Sequence, residues 1–479
     1  MIRSLVAPTL ALVLTLCAGA TAQSDPLGVW LGAIGPGVID LEIRVTIRTD
    51  DDGLAGTIDI PVQGMVGYPL ADVVHDGETL SFALPGVPGD PAFDGVIDGD
   101  RVEGTFTQGG QPLAFALERD LEPIALRPQE PLPPFPYDEQ DIEFASGDVT
   151  LAGTITLPPG DASVPGLLLI TGSGAQDRNE EILGHKPFLV IADHLTRAGY
   201  AVLRVDDRGV GGSTGSDELA TFDDLLGDVL AGVARLREHP RVDPDRVGLL
   251  GHSQGGFLAP AAALAADGDV AFTILMAGPA VDGFSVLLAQ NERAIEVAMR
   301  TATPDVSEEE ISAVVASQVA FLEALFPLLE AEDHDGARAL VRERIETELA
   351  ALPAEQRPDE ATLEEMIRAN QAGVVAPAFR AFLVFDPQPS LRTLTVPTLA
   401  LFGGLDVQVP AEQNEVPMRD ALAAAGNPDA TVITIPGVNH LMQPAVTGSV
   451  DEYGAIETTI EPAVLEMITQ WLTERFPSP

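Results

Sequence analysis

The chain has 479 residues, enough for two or three domains, and its 46% hydrophobic and 21% charged residues supply a large core and argue against global disorder. Acidic residues outnumber basic ones by 73 to 26, a formal net charge of −47, which repels phosphate backbones and anionic membranes and excludes nucleic-acid binding as a main activity. Lys186 is the sole lysine, so Schiff-base and P-loop lysine chemistries are removed from almost everywhere in the chain.

The chain opens on a short basic start, Met1–Arg3, followed by an apolar run from Leu5 to Ala20 broken by Pro8. That run is shorter than the roughly 20 apolar residues a membrane-spanning helix needs. Ala20-Thr21-Ala22 is a small-residue cleavage signal, which predicts a signal peptide over residues 1–22, a mature chain from Gln23, and export to the periplasm or beyond with no membrane span. A lipoprotein anchor at Cys17 is disfavoured by Leu16, where a small residue is expected. Cys17 is the only cysteine, so the mature chain is expected to hold no disulfide, thiol nucleophile or cysteine metal site.

From Leu27 to Arg119 short alternating runs predict an antiparallel all-β domain, spanning about 23–122 and curled into a small barrel or sandwich. Examples of its strands are Leu41–Ile47, Gly56–Ile60, Thr79–Leu84, Arg101–Phe106 and Leu113–Leu117, with hairpin turns at Asp52-Gly53, Asp98-Gly99 and Gly109-Gly110. Asp50-Asp51-Asp52-Gly53 is read as a turn and not a calcium loop, because its acids are consecutive and do not alternate. Six prolines between Pro123 and Pro136 predict an extended linker over 123–137.

Beyond the linker, buried-strand runs alternate with helical stretches. The strands are Gly166–Ile170, Tyr200–Val205, Val247–Leu250, Ala271–Met276, Thr398–Phe402 and Thr431–Ile435. Helices over Pro187–Arg197, Phe222–Glu238 and Gln254–Ala266 separate them, which predicts an α/β domain over 138–479 with a parallel sheet and crossovers. A long helical insert, about 283–390, interrupts the alternation, with Pro327 and Pro353 as kinks or stops.

Two segments fit G-x-S-x-G, and context separates them. Gly251-His252-Ser253-Gln254-Gly255 follows a strand at once and opens an Ala-rich helix, the strand–turn–helix that exposes a serine hydroxyl. Gly211-Gly212-Ser213-Thr214-Gly215 lies in a loop with no helix behind it. Ser253 is therefore the expected nucleophile. A serine needs a base near neutral pKa to take its proton. Of seven histidines, His440 follows the last strand in Pro436-Gly437-Val438-Asn439-His440, where open α/β sheets place their sites. His252 is read as a packing residue beside the nucleophile. Asp406, just past the penultimate strand, is the expected orienting acid, with Asp282 the alternative between serine and histidine in chain order. An oxyanion needs preorganised backbone N–H donors, expected from Gln254 and, in the turn Thr171-Gly172-Ser173-Gly174, from Ser173 with Gly174 the near alternative.

These residues resemble the α/β-hydrolase superfamily, and within it bacterial exported esterases of the serine-aminopeptidase-like, S33-type family. The resemblance rests on Thr171–Glu180, Gly184-His185-Lys186-Pro187-Phe188, Asp206–Gly211, Gly251–Gly256, Leu405–Pro410 and Gly437–His440, and spans about Asp141 to the C-terminus. It implies Ser253, Asp406 and His440 as triad, hydrolysis of small carboxylic esters without cofactor or metal, and a helical cap between the sixth strand and the acid. Asn179 departs from the aspartate that relatives often carry. In the cap, Val319–Phe326 either roofs an acyl pocket or packs on the catalytic domain, and Lys186 and Arg178 either hold an anionic group or pair with acids. The leading expectation is an exported serine esterase acting on a small-molecule ester. Aminopeptidase or thioesterase action on the same triad is the rival, and a glycan- or wall-binding role for the front β domain is a further one.

Overall fold

The computed structural model describes residues 26–479 except 36–40, 51–52, 61–64, 78, 86, 88, 90, 120–126, 218, 304–305, 352–356 and 359. The leader, the tip of the Asp50–Gly53 turn and the first residues of the proline-rich stretch lie outside the described residues. The chain divides into two units, 1–124 and 125–479.

In the first unit, among the described residues, nine strands run in sequence: β1 (Gly28–Ile34), β2 (Leu41–Asp50), β3 (Gly53–Ile60), β4 (Met65–Pro69), β5 (Ala71–His75), β6 (Thr79–Ala83), β7 (Ala92–Asp98), β8 (Arg101–Gln108) and β9 (Gln111–Arg119). They form one antiparallel sheet in the order β4-β3-β2-β1-β9-β8-β7-β6-β5. Its two edge strands are consecutive in the chain, and Leu70 between them donates its N–H to Gly56 of β3, so the edges are brought together and the sheet rolls up. Alternation decides the faces: Phe93, Gly95 and Ile97 point inward along β7 while Asp94, Val96 and Asp98 face out. The interior is filled by Trp30 and by Phe93 packed on Phe82, Phe106 and Phe115.

The second unit opens with β10 (Asp138–Ser146) and β11 (Val149–Leu157), a hairpin absent from the sequence reading because its first strand carries mostly exposed polar residues. Then follow β12 (Val164–Ile170), α1 (Pro187–Arg197), β13 (Ala201–Val205), α2 (Phe222–Arg237), β14 (Val242–His252), α3 (Gln254–Ala265) and β15 (Phe272–Met276). Five helices intervene, α4 (Gly283–Ala302), α5 (Glu308–Glu330), α6 (His334–Ala351), α7 (Glu360–Val374) and α8 (Pro377–Val384). The chain closes with α9 (Gln388–Leu391), β16 (Thr398–Gly403), α10 (Ala411–Ala424), β17 (Ala430–Ile435) and α11 (Pro462–Arg475).

The eight strands lie in the order β10-β11-β13-β12-β14-β15-β16-β17, with β12 to β17 mutually parallel and β10 and β11 antiparallel at one edge. The parallel strands are buried on both faces, hence their near-continuous Val/Leu/Ile runs. Helices α2, α3 and α10 cover one face through Val233, Leu236, Phe257, Ala262 and Leu422. Helices α1 and α11 cover the other through Phe188, Ile191, Leu195, Ile468 and Leu472. A capping box between Thr221 and Asp224 starts α2, and Pro187 at the first turn starts α1.

Helices α4 to α8 form the insert between β15 and β16. It is moored to the sheet domain by Arg293 on Glu412 at 2.6 Å, by Gln413 donating to the Ser285 carbonyl, and by Phe385 stacked on Phe222 at 4.1 Å. Among the described residues α5 is the one helix long and apolar enough to cross a membrane, at mean hydropathy 1.7. It packs against α4, α6 and α8, burying Leu322, Leu325 and Leu329 and stacking Phe326 on Phe284. The Val319–Phe326 face is therefore committed to packing inside the insert.

The proline-rich stretch also differs from a free linker. Arg127 donates to the carbonyls of Gly184, Leu183, Gly454 and Ile456, and Gln129 bonds both N–H and C=O groups at Thr459 and Ile460. From Arg127 onward the segment is a strap on the second unit, because amide and guanidinium donors outweigh the spacer character of the prolines.

Candidate active site

Strand β14 ends at His252 and α3 begins at Gln254, leaving Ser253 alone on the turn at φ 51° and ψ −116°. A non-glycine residue there stores strain on the order of 1–3 kcal/mol, which only over-determined surroundings hold in place. Those surroundings are visible. A Cβ on Gly255 would lie 2.2 Å from the Ile170 carbonyl oxygen, so glycine lets the elbow press against the end of β12. Ser253 N–H donates to the Met276 carbonyl at 2.9 Å, and its own carbonyl accepts from Gly256 at 2.8 Å.

Asp406 follows β16 and His440 follows β17, and the two are bonded, His440 Nδ1 to Asp406 Oδ2 at 2.8 Å. The other carboxylate oxygen accepts from the Gln408 and Val409 N–H groups, each at 2.8 Å. Both side chains are buried. An ionised Asp406 fixes the tautomer with its proton on Nδ1 and leaves His440 Nε2 as the acceptor. The His440 ring lies 4.9 Å from that of His252, the neighbour of Ser253. Ser253 Oγ makes no hydrogen bond among the described residues, as is common in resting sites that tighten on binding.

The turn after β12 packs on the elbow: a Cβ on Gly172 would stand 3.4 Å from Ser253 Cβ. Its N–H groups are divided between structure and solvent. Gly172 N–H is taken by Glu180 and Gln176 N–H by Asp207, whereas those of Ser173 and Gln254 have no acceptor among the described residues. The N–H of Gly174, the near alternative, also has no acceptor among the described residues, so the hydrogen bonds do not choose between it and Ser173. A cavity of about 70 Å³ lies beside Gln254, lined by Thr171, Gly172, Gly174, Leu225 and Leu258 and by the charged Asp207 and Arg208.

Besides Glu180, two acids anchor this turn. Asp207 accepts from Thr171 Oγ1 at 2.7 Å and Gln176 N–H at 2.9 Å, and Asp206 takes the Arg178 N–H and guanidinium. Burial pushes the Asp207 carboxyl up to about 8, above the opposing pull of its hydrogen bonds. A group held protonated by folding contributes stability that is complete below its unfolded value near 4 and is lost as pH rises through about 8. Asp207→Asn keeps a carbonyl for Gln176 and cannot ionise. Thermal unfolding of the two proteins at pH 5 and pH 9 should therefore show a smaller alkaline loss of Tm in the variant; equal losses would place the titration elsewhere.

The remaining sequence candidates have other partners. Asp282 caps α4, accepting from Ser285 N–H and Oγ, so it is not the orienting acid. Ser213 is bonded to the Asp206 carbonyl and Ala152 N–H, a structural serine. Arg178 pairs with Asp206 and Asp141, and Lys186 lies between Glu130 and Glu181, so both cations serve ion pairs. No cluster of His, Cys, Asp and Glu suited to a metal exists among the described residues. Sequence reasoning missed Glu180 and Asp207, and it understated His252. All three lie in stretches that carry the family resemblance, Thr171–Glu180, Asp206–Gly211 and Gly251–Gly256, but no periodicity marks such residues.

An eight-stranded sheet in this order, a strained serine between the fifth strand and its helix, an acid after the seventh and a histidine after the eighth define the α/β-hydrolase fold. Residues 186–335 match the model of the serine aminopeptidase S33 family, a stretch that includes Ser253 and stops before Asp406 and His440. The chain is 26% identical over 341 residues to esterase EstD of Thermotoga maritima, covering 71% of this chain and 69% of that protein. It is 29% identical over 165 residues to the quorum-quenching protein AidA of Acinetobacter baumannii, covering 34% of this chain and 49% of that protein. Solved structures similar to it include an esterase of Pyrococcus furiosus, at 15% identity and TM-score 0.41 over 71% of this chain and 92% of that one. Another is the Est1E protein of Butyrivibrio proteoclasticus bound to ferulic acid, at 17% identity and TM-score 0.38 over 70% and 98%. Residues 186–335 thus carry the S33 serine aminopeptidase-like signature, and the chain is homologous over 341 residues to a bacterial esterase.

Proposed function

We propose that this protein is a serine esterase that cleaves small carboxylic esters through an acyl-enzyme on Ser253. The observation that carries the reading is the strained Ser253 elbow standing with a buried Asp406–His440 pair bonded at 2.8 Å. His440 Nε2 takes the hydroxyl proton as Ser253 Oγ attacks the ester carbonyl. The developing oxyanion is met by the N–H groups of Gln254 and Ser173, which no other acceptor engages among the described residues. The same histidine returns the proton to the departing alcohol, then activates water against the acyl-enzyme. Asp406 orients the ring and stabilises its charged form. The homology to an esterase supports this substrate class. Export through the 1–22 leader is part of the same proposal.

Treating the purified protein with a fluorophosphonate and locating the adduct by mass spectrometry tests the reading. Label on Ser253, abolished in His440→Ala, is the expected result; a folded protein that takes no label there refutes it. The family description favours one second reading, an aminopeptidase on the same triad. Rates on matched ester, thioester and aminoacyl-amide substrates separate the two, an amide preference counting against the esterase.

A further inference from the structure

The oxyanion turn, the nucleophile and the base lie on three distant stretches: the turn 171–176, the elbow 251–255 and the loop 436–440. One buried side-chain pair touches all three. Glu180 Oε1 accepts from Gly172 N–H at 2.7 Å and from His252 Nδ1 at 2.9 Å, and His252 Nε2 donates to the main-chain carbonyl of His440 at 3.0 Å. Both neighbours of the imidazole are acceptors, so the ring satisfies them only with a proton on each nitrogen. Burial alone would strip that second proton, but the Glu180 carboxylate outweighs it and holds His252 above its ordinary value.

Glu180 occupies its place at a cost. It sits at φ 53°, in the left-handed region that disfavours a long side chain, and its second oxygen, Oε2, is buried with no hydrogen-bond partner among the described residues. A carboxylate serving only to fill space is more cheaply replaced by an apolar side chain. What this one secures is a junction between the oxyanion turn, the nucleophile's neighbour and the backbone of the base.

Resting on the esterase reading, we propose that Glu180 and His252 are positioning residues, which keep the oxyanion turn and the His440 loop in register against Ser253. Removing the carboxylate frees Gly172 N–H, discharges His252 and slackens its hold on the His440 carbonyl, so donors and base lose alignment together.

The test uses Glu180→Ala and Glu180→Gln in the full chain. Glu180→Ala should lower kcat about 100-fold with KM within about twofold, because misplacement of reacting groups acts on the chemical step. Glu180→Gln, which keeps an acceptor for Gly172, should recover roughly tenfold of that loss. A pair that merely stabilised the fold would move Tm and leave kcat alone. Hydrogen exchange supplies a readout independent of turnover. In the variants, peptides covering 171–176 and 436–443 should both exchange about tenfold faster while those from β15 do not change. A folded variant with kcat within about twofold of the parent, or loosening confined to 171–176, overturns the proposal. Failure of the esterase reading shows differently: the parent protein itself then neither labels nor turns over ester, and the exchange result alone decides the coupling. If Glu180→Ala does not fold, Glu180→Gln and His252→Asn give the same two readings.

Discussion

Ser253→Ala is expected to reduce ester turnover by about 100,000-fold or more while leaving Tm within a few degrees of the parent. The argument for a clean loss is local. The substitution removes only Oγ, which makes no hydrogen bond among the described residues. The backbone bonds that fix the elbow, from Ser253 N–H to Met276 and from Gly256 N–H to the Ser253 carbonyl, are untouched. Alanine at φ 51° is no less strained than serine, so neither relief nor new strain follows. Steady-state rates with a chromogenic short-chain ester, alongside a thermal melt, check both halves. Residual turnover within about tenfold of the parent would assign the reaction to another group.

Asp406→Asn is expected to cost about 10,000-fold in kcat, with the fold again intact. The reason lies in the two hydrogen bonds that Asp406 Oδ1 accepts from the Gln408 and Val409 N–H groups. An asparagine must turn its carbonyl oxygen toward those donors, since an NH₂ there would leave both unpaired in a buried site. Its NH₂ then faces His440 Nδ1, where the carboxylate accepted at 2.8 Å. The ring is driven to the opposite tautomer, with its proton on Nε2, and has no lone pair to offer Ser253. Two measurements check this: kcat, and the ring-nitrogen shifts of His440, which should report the tautomer exchange. A variant with an unchanged tautomer and full activity would remove Asp406 from its proposed role.

Much of the fold is legible in the sequence because buried parallel strands and amphipathic helices impose strong periods. The reading of Pro187–Arg197 as a helix agrees with the structure at both ends, and β16 begins at the expected Thr398. Helix α3 has the same first residue as expected, Gln254, since the glycine-flanked serine punctuates the chain so sharply. The hairpin of β10 and β11 was not legible, because an edge strand such as Asp138–Ser146 carries water-facing acids and lacks the apolar signature. Ala71–His75 was likewise not singled out, since it too is an edge strand with no fully buried residue. In the site, Ser253, Asp406 and His440 are announced by motif and chain order. Glu180, Asp207 and His252 act through hydrogen bonds to backbone groups across 31 to 188 positions of sequence in the cases of Asp207 with Gln176 and His252 with His440. No local pattern encodes such a bond.

The strap at Arg127 and Gln129 decides how the second unit can be excised. Its first strand starts at Asp138, which invites a cut just before that residue. Such a fragment would forfeit every bond that Arg127 and Gln129 make to Gly454, Ile456, Thr459 and Ile460. Those groups lie on the stretch that leads from the His440 loop into α11, so the damage would reach that loop from behind. Proteolysis before Ala125 should release an autonomous hydrolase, whereas clipping past Glu130 should release a crippled one.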